Sequence, residues 1–426
     1  MLAICVLLAL KSCTNTKSYK KNEEMYPVID IVNSVGNYQK VYFSDYFSSI
    51  ELIALETNNN SLIGEESIVL VYDSLIFIAS SISSGVWPPH KNLLVFNRSG
   101  KFLNSIGAIG KGPGEYLGVS EVFINHEKPT VYVADSFKIF EFEFNGKFIG
   151  SFTRPNPDGR SLWNVTFLED NLFLGAISYD KRNEYKYYLF DKNGDVIKYF
   201  HTNLHSDTSL QNAWSLSVAP YRIDNHVYVM DYINDTLYTI ENLRLSPVYV
   251  FDYGKFAYPI GKNNEKGQRN IIHVDNTEAN KQYMRMMEVV GTPTSLFYSI
   301  RIPSLLSIPK TRSIYNSVIR REMTDATVLG IFNITEKTNT LLDTDAHQFK
   351  GLINDLNGGL SFFPKYYAGN DLVLDIWQVE DMKKILTEEH FSTLQIKDQL
   401  AHQKLKELLI NLKDDDNPVV VIAKLK

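Results

Sequence analysis

Few residues in this chain are spaced for chemistry. GKGPGEY (110–116) is rich in glycine but lacks the GK[ST] ending and the strand–loop–helix setting of a phosphate loop. It reads as a tight crossover between strands. The nine histidines include no HExxH and no close pair at metal spacing. Asp414, Asp415 and Asp416 stand in a row, without the alternating ligands of an EF-hand, and read as solvated surface. No GxSxG marks a nucleophile, and no local spacing marks a carboxylate pair for glycoside hydrolysis. What remains is aromatic residues beside polar ones: Trp87 and His90 within SISSGVWPPHK (81–91), and Glu115 with Tyr116. A ring beside a carboxylate offers stacking area and a directional acceptor.

The bulk composition narrows the classes. The 426 residues are 44% hydrophobic and 22% charged, which suits a globular protein. A net charge of -6 gives no basic footprint for nucleic acid. The 25 tyrosines and 24 phenylalanines favour pleated, half-buried surfaces. Cys5 and Cys13 are the only cysteines, so the remainder of the chain has no disulfide and no cysteine metal site.

MLAICVLLAL (1–10) has the length of a secretory signal's apolar region and is too short to span a bilayer. It runs into Leu10-Lys11-Ser12-Cys13, the form of a bacterial lipobox, although Lys11 is unusual there and no Lys or Arg precedes the apolar run. The expectation is a signal peptide over 1–12, a lipidated Cys13 with a flexible tether over 13–39, and one domain over 40–426. An ordinary signal peptide with an incidental cysteine is the alternative. Lys-Lys-Asn-Glu-Glu (20–24) loosely matches signals that carry lipoproteins to the outer cell surface. The expected location is therefore the outer membrane.

Beyond residue 40 one pattern recurs: an apolar run, a turn, and a second apolar run. It is clearest in 93–107, 139–152 and 187–200, around the turns RSGK, FNGK and KNGD, and weaker in 237–254 and 328–343. Two more strand-like runs precede each clear copy after the first, as in GVSEVFIN (118–125) and TVYVAD (130–135). AWSLSVAP (213–220) and HVYVMD (226–231) do the same for a later copy. Four strands at this period make propeller blades, and the count predicts an all-β, six-bladed β-propeller. The last blade reads as strands over 358–367, 371–377 and 417–426, with a helical insertion over 381–412. It lacks a fourth strand, and pairing 50–55 beside 419–424 would supply it and close the ring. A second helix is read over 276–291, its methionines filling core gaps.

LLVFNRSGKFLNSIGAIGKGPGEY (93–116) resembles the signature of a family of six-bladed β-propeller lipoproteins of unknown function, distant relatives of NHL-repeat propellers. The opening 44–64 and the closing NPVVVIAKLK (417–426) are similar to that family too. The resemblance implies a fold and a compartment but no activity and no catalytic residues. Some related propellers are Ca²⁺-dependent lactonases or lyases, with acidic ligands from separate blades at the channel mouth. A Ca²⁺-dependent hydrolase or lyase is thus the alternative to a non-catalytic binder.

Propeller geometry sorts the connections. With strands lettered a to d outward from the axis, b–c and d–a connections share one face, and a–b and c–d turns share the other. The long segments 81–91, 107–118, 178–185, 201–212, 255–290 and 379–416 all belong to the first face. Long loops on a rigid scaffold are where binding resides. That face carries the candidate ligand-binding residues Trp87, His90, Glu115 and Tyr116, with a glycan, peptide or protein as partner. The competing roles are packing between blades for Trp87 and Tyr116, and capping of backbone amides for Glu115. Trp163 and Trp214 fall on inner strands, and Trp377 reads as core.

Overall fold

The computed structural model describes residues 26–426 apart from 65–66, 81–91, 178–184, 202–208, 211–216, 224–225, 232–233, 258–270, 273–281, 304–305, 307–311, 317–320, 326 and 344–350. Six antiparallel sheets stand as blades around one axis. The inner strands are Ser67–Tyr72, Glu121–Asn125, Trp163–Phe167, Ser217–Ile223, Arg285–Gly291 and Tyr366–Gly369, in blade order. Each inner strand touches the next, and the last touches the first.

The packing follows from two-residue periodicity. In Leu75–Ser80, strand b of blade one, Ile76 and Ile78 join the core shared with blade six. Phe77 and Ala79 join the core shared with blade two. Both faces of the strand are covered, so it reads as one apolar run. Among the described residues, every junction between blades has such a core.

The ring closes as the sequence implies. Phe47–Ala54 pairs antiparallel with Val419–Leu425, which pairs in turn with Leu372–Trp377. Phe47–Ala54, which precedes every other strand of the six blades' four-strand repeats, is thus the outer strand of the last blade.

Three expectations are corrected. The domain begins before residue 40, because Val28–Asp30 adds a parallel edge strand to blade four and Tyr38–Gln39 adds one to blade five. Ile29 and Ile31 are fully buried there, so this stretch of the expected tether is a strap over two open sheet edges. The helix read over 276–291 is instead strand Arg285–Gly291 in its described latter part. Val289 and Val290 favour a strand, while Met284 and Met286 do fill core as expected. Of the last blade's first run, 358–367, only Tyr366 and Tyr367 lie in a strand, Tyr366–Gly369, and 358–365 is loop, buried over 358–360. In the run 213–220 the described part, from Ser217, is strand Ser217–Ile223, and 213–216 lie outside the described residues.

The c–d turns carry a repeated device. Gly100, Gly146 and Gly194 all have φ between 81° and 89°. Each also sits against the last turn of the preceding blade's outer strand. A Cβ would lie 2.9 Å from the Ser105 carbonyl oxygen at Gly146 and 2.7 Å from that of Thr153 at Gly194, and would overlap that of Ala54 at Gly100. Glycine here makes the hairpin and lets the blades approach.

Candidate binding face

The two faces differ as the sequence predicts. The a–b and c–d connections among the described strands are short turns, such as Asp73-Ser74 and Asn242-Leu243, both with residues at positive φ. The other face carries the long connections, including a hairpin insertion in blade five, Arg312–Asn316 with Arg321–Asp325. It also carries three helices in blade six: Val379–Ile385, Glu388–Ser392 and Gln399–Asn411.

The helices form a cap with its own core. Met382, Phe391, Leu405 and Leu412 pack into the core of blades five and six, while Leu400 points outward. Under them lies the loop 351–360, almost wholly buried although it contains Asn354, Asp355 and Asn357. Burying such polar groups requires partners, and the cap supplies several. His390 Nε2 lies 3.0 Å from the Gly358 carbonyl and His402 Nδ1 2.8 Å from that of Asn357. Asp398 caps the longest helix by accepting from the Ala401 amide.

Asp355 is the pivot of this arrangement. It accepts from the Ser44 amide at 3.0 Å and the Ser44 hydroxyl at 2.6 Å, and pairs with Lys397 at 2.7 Å. Burial pushes its carboxyl up, but Lys397 and Ser44 outweigh that and hold it below the usual range. Lys397 also donates to the Ser44 hydroxyl, at 2.6 Å. A serine between lysine and aspartate resembles nucleophile machinery, yet its bond to Asp355 holds Lys397 in its charged form. A charged lysine takes no proton from a hydroxyl, so the trio is a latch between the segment that leads into the closing strand Phe47–Ala54, the buried loop and the cap.

At the mouth of the channel on this face, the inner strands begin with Ser67, Glu121, Trp163, Ser217, Arg285 and Tyr366. Blades two and three are clasped there. Arg154, with a side chain 1% exposed, pairs with Glu121 at 2.8 Å, donates to Ser120 and the Asp135 carbonyl, and lies over the Trp163 ring. Between blades five and six, Asp375 is buried and held above the usual carboxylate range by desolvation, with Lys365 3.3 Å away. In blade three, burial pushes Lys186 down to about 7, its Nζ donating to the Ile177 carbonyl.

Of the sequence candidates, Trp87 and His90 lie outside the described residues, as does Trp214. Glu115 and Tyr116 stand together in the crossover, where 115–116 pairs with Ala108–Ile109. Tyr116 is 1% exposed and its hydroxyl donates to the Ile106 carbonyl. Desolvation pushes that phenol up to about 12. Glu115 accepts from the Gly112 amide at 2.7 Å, in space that Gly110 and Gly112 leave open. Trp377 is core. Asp414 pairs with Lys383 and Asp416 accepts from the Lys413 amide. Among the described residues, no three of His, Cys, Asp or Glu converge as a metal centre would require. Sequence reasoning missed Arg154, Arg285, Arg301 and the loop 351–360. Asn354-Asp355 followed by Gly358-Gly359 was the available signal for the last.

No helix among the described residues is long and apolar enough to cross a membrane. No curated protein matches the sequence. Among solved structures, a Bacteroides fragilis NCTC 9343 protein named for presumed export matches with a TM-score of 0.65 at 18% identity, covering 94% of this chain and 99% of its own. That likeness shows the fold alone. A member of the DUF4221 family from Bacteroides vulgatus ATCC 8482 matches more loosely, with a TM-score of 0.43 at 10% identity over 69% of this chain and 84% of its own. The model of one family, a domain of unknown function, matches residues 26–424, strap and closing strand included. This six-bladed propeller therefore belongs to the DUF4934 family.

Proposed function

We propose that the protein is a non-catalytic binding propeller of the cell envelope, which recognises a glycan, peptide or partner protein through its loop-rich face. The observation that carries this reading is the segregation of connections. The helical cap, the blade-five hairpin and the long crossovers share one face, and among the described residues the opposite face has only short turns. The binding surface includes Trp87 and His90 of the loop 81–91, with Glu115 and Tyr116 bracing the neighbouring crossover. The protein is exported and held at the outer membrane through lipid on Cys13. The apolar run before that cysteine supports this, as does the name of the Bacteroides fragilis neighbour.

Glycan and peptide arrays probed with the mature protein test the reading. The wild type should retain a defined subset of ligands. Trp87→Ala, and a variant with 302–326 replaced by a short turn, should lose it while melting like the wild type. Retention of nothing, or equal retention by both variants, would overturn the proposal.

A further inference from the structure

The chain has 24 phenylalanines, and among the described residues only Phe137 is exposed, by 63%. It stands in the short b–c connection of blade two, on the loop-rich face. Leu117 and Ile109, 45% and 50% exposed, lie beside it in the crossover that enters the same blade. One buried carboxylate joins the two connections. Asp135 accepts from the Phe137 amide at 2.7 Å and from the Leu117 amide at 3.1 Å. Ile109 is tied in through its pairing with Tyr116, the residue before Leu117. Apolar side chains exposed singly are ordinary, but a group of them on a fixed frame marks an interaction site. The described charges around the group leave a basic rim. Glu115 is turned onto the Gly112 amide of its own loop, and Glu121 is paired with Arg154. Lys111 and Lys138 are exposed, in a chain whose net charge is -6.

We infer that Phe137, Leu117 and Ile109 form a docking patch for an acidic peptide segment of a partner protein, with apolar anchors flanked by carboxylates. This rests on the reading of the loop-rich face as the binding face, and narrows its ligand to one class. Large apolar side chains within a polar rim are what protein interfaces bury. Asp135 fixes both backbones before any partner arrives, so little ordering remains to be done on binding. Lys111 and Lys138 complement carboxylates, which selects acidic over basic segments and steers their approach. A neutral glycan offers neither the apolar anchors nor the carboxylates.

Selection of a random library of phage-displayed peptides on the mature protein tests this. Peptides enriched on the wild type should carry large apolar residues with Asp or Glu beside them. Resynthesised, they should bind Phe137→Ser and Leu117→Ser about tenfold more weakly or worse. Both variants should melt like the wild type, because the side chains they remove are exposed. Lys138→Glu should weaken the same peptides and favour versions with Lys in place of Glu. Leu103→Ser removes an exposed leucine from the outer strand of blade one and should bind as the wild type does. Equal binding by Phe137→Ser, or enrichment of basic or wholly polar peptides, would overturn the patch or its ligand class. Binding of phosphatidylglycerol vesicles in place of any peptide, lost in Phe137→Ser, would overturn the peptide and give the patch to a membrane. Enrichment of nothing, with array ligands still retained through Trp87, would overturn this inference alone and leave the binding face standing.

Discussion

Ile50 pairs with Ala423 across the seam where the two ends of the domain meet. The ring is shut by hydrogen bonds between the outer strand of blade six and the strand before it, and by no covalent link. Val419, Val420 and Val421 on the closing strand are fully buried. Residues on this strand belong to two junction cores, so its loss opens both faces of the blade.

Deleting 419–426 should therefore abolish the cooperative transition of the whole ring instead of fraying one end. Calorimetry of the truncated protein checks this. A truncated chain that melts within a few degrees of the full-length one would show that closure is dispensable.

The c–d glycines give a second prediction with an internal control. Alanine at Gly146 or Gly194 must adopt positive φ and push against the preceding blade's carbonyl. Each substitution should cost about 1–3 kcal/mol in chemical denaturation. Gly150 lies on a strand with open space where a Cβ would stand. Gly150→Ala should be neutral or stabilise by up to about 1 kcal/mol. Equal effects at all three positions would refute the blade-approach argument.

Much of this fold was legible because each blade is written locally. The turns RSGK, FNGK and KNGD mark hairpins by glycine, and the flanking apolar runs have strand length. Closure was legible for a different reason: an unpaired first strand and an incomplete last blade each imply the other. The strap was not, since Tyr38–Gln39 is two residues long and Val28–Asp30 gains its meaning only against strand Arg244–Asp252. The mouth was the least legible part. Arg285 and Arg301 are sixteen residues apart, and only the register of two strands makes them neighbours. Glu115 and Tyr116 were found because they lie in a distinctive segment, and the structure uses both to hold that segment in place.

Anchoring can be tested apart from binding. The wild-type protein should fractionate with membranes and carry a lipid mass on Cys13. Cys13→Ser should be released or fail to mature, with an unchanged melting profile for the propeller, because the domain begins by residue 26. Recovery of the unmodified wild type as a freely soluble protein would refute the anchor.

Lys186 gives the last prediction, which concerns pH. Its side chain is buried beside the Ile177 carbonyl, and desolvation lowers it from 10.5 to about 7. In the unfolded chain the same group titrates near its ordinary value. Between about pH 7 and pH 10.5 the unfolded state therefore holds a proton that the folded state has released. Folding stability attributable to this residue must rise with pH across that window and flatten outside it. Lys186→Met keeps the length and apolar stem of the side chain but has no proton to lose. The difference in unfolding free energy between wild type and Lys186→Met should favour the variant most near pH 7 and shrink steadily towards pH 10. Taking the difference cancels the tyrosines, whose own titrations begin at the top of the range. A difference that does not change with pH would mean that Lys186 stays charged in the folded protein.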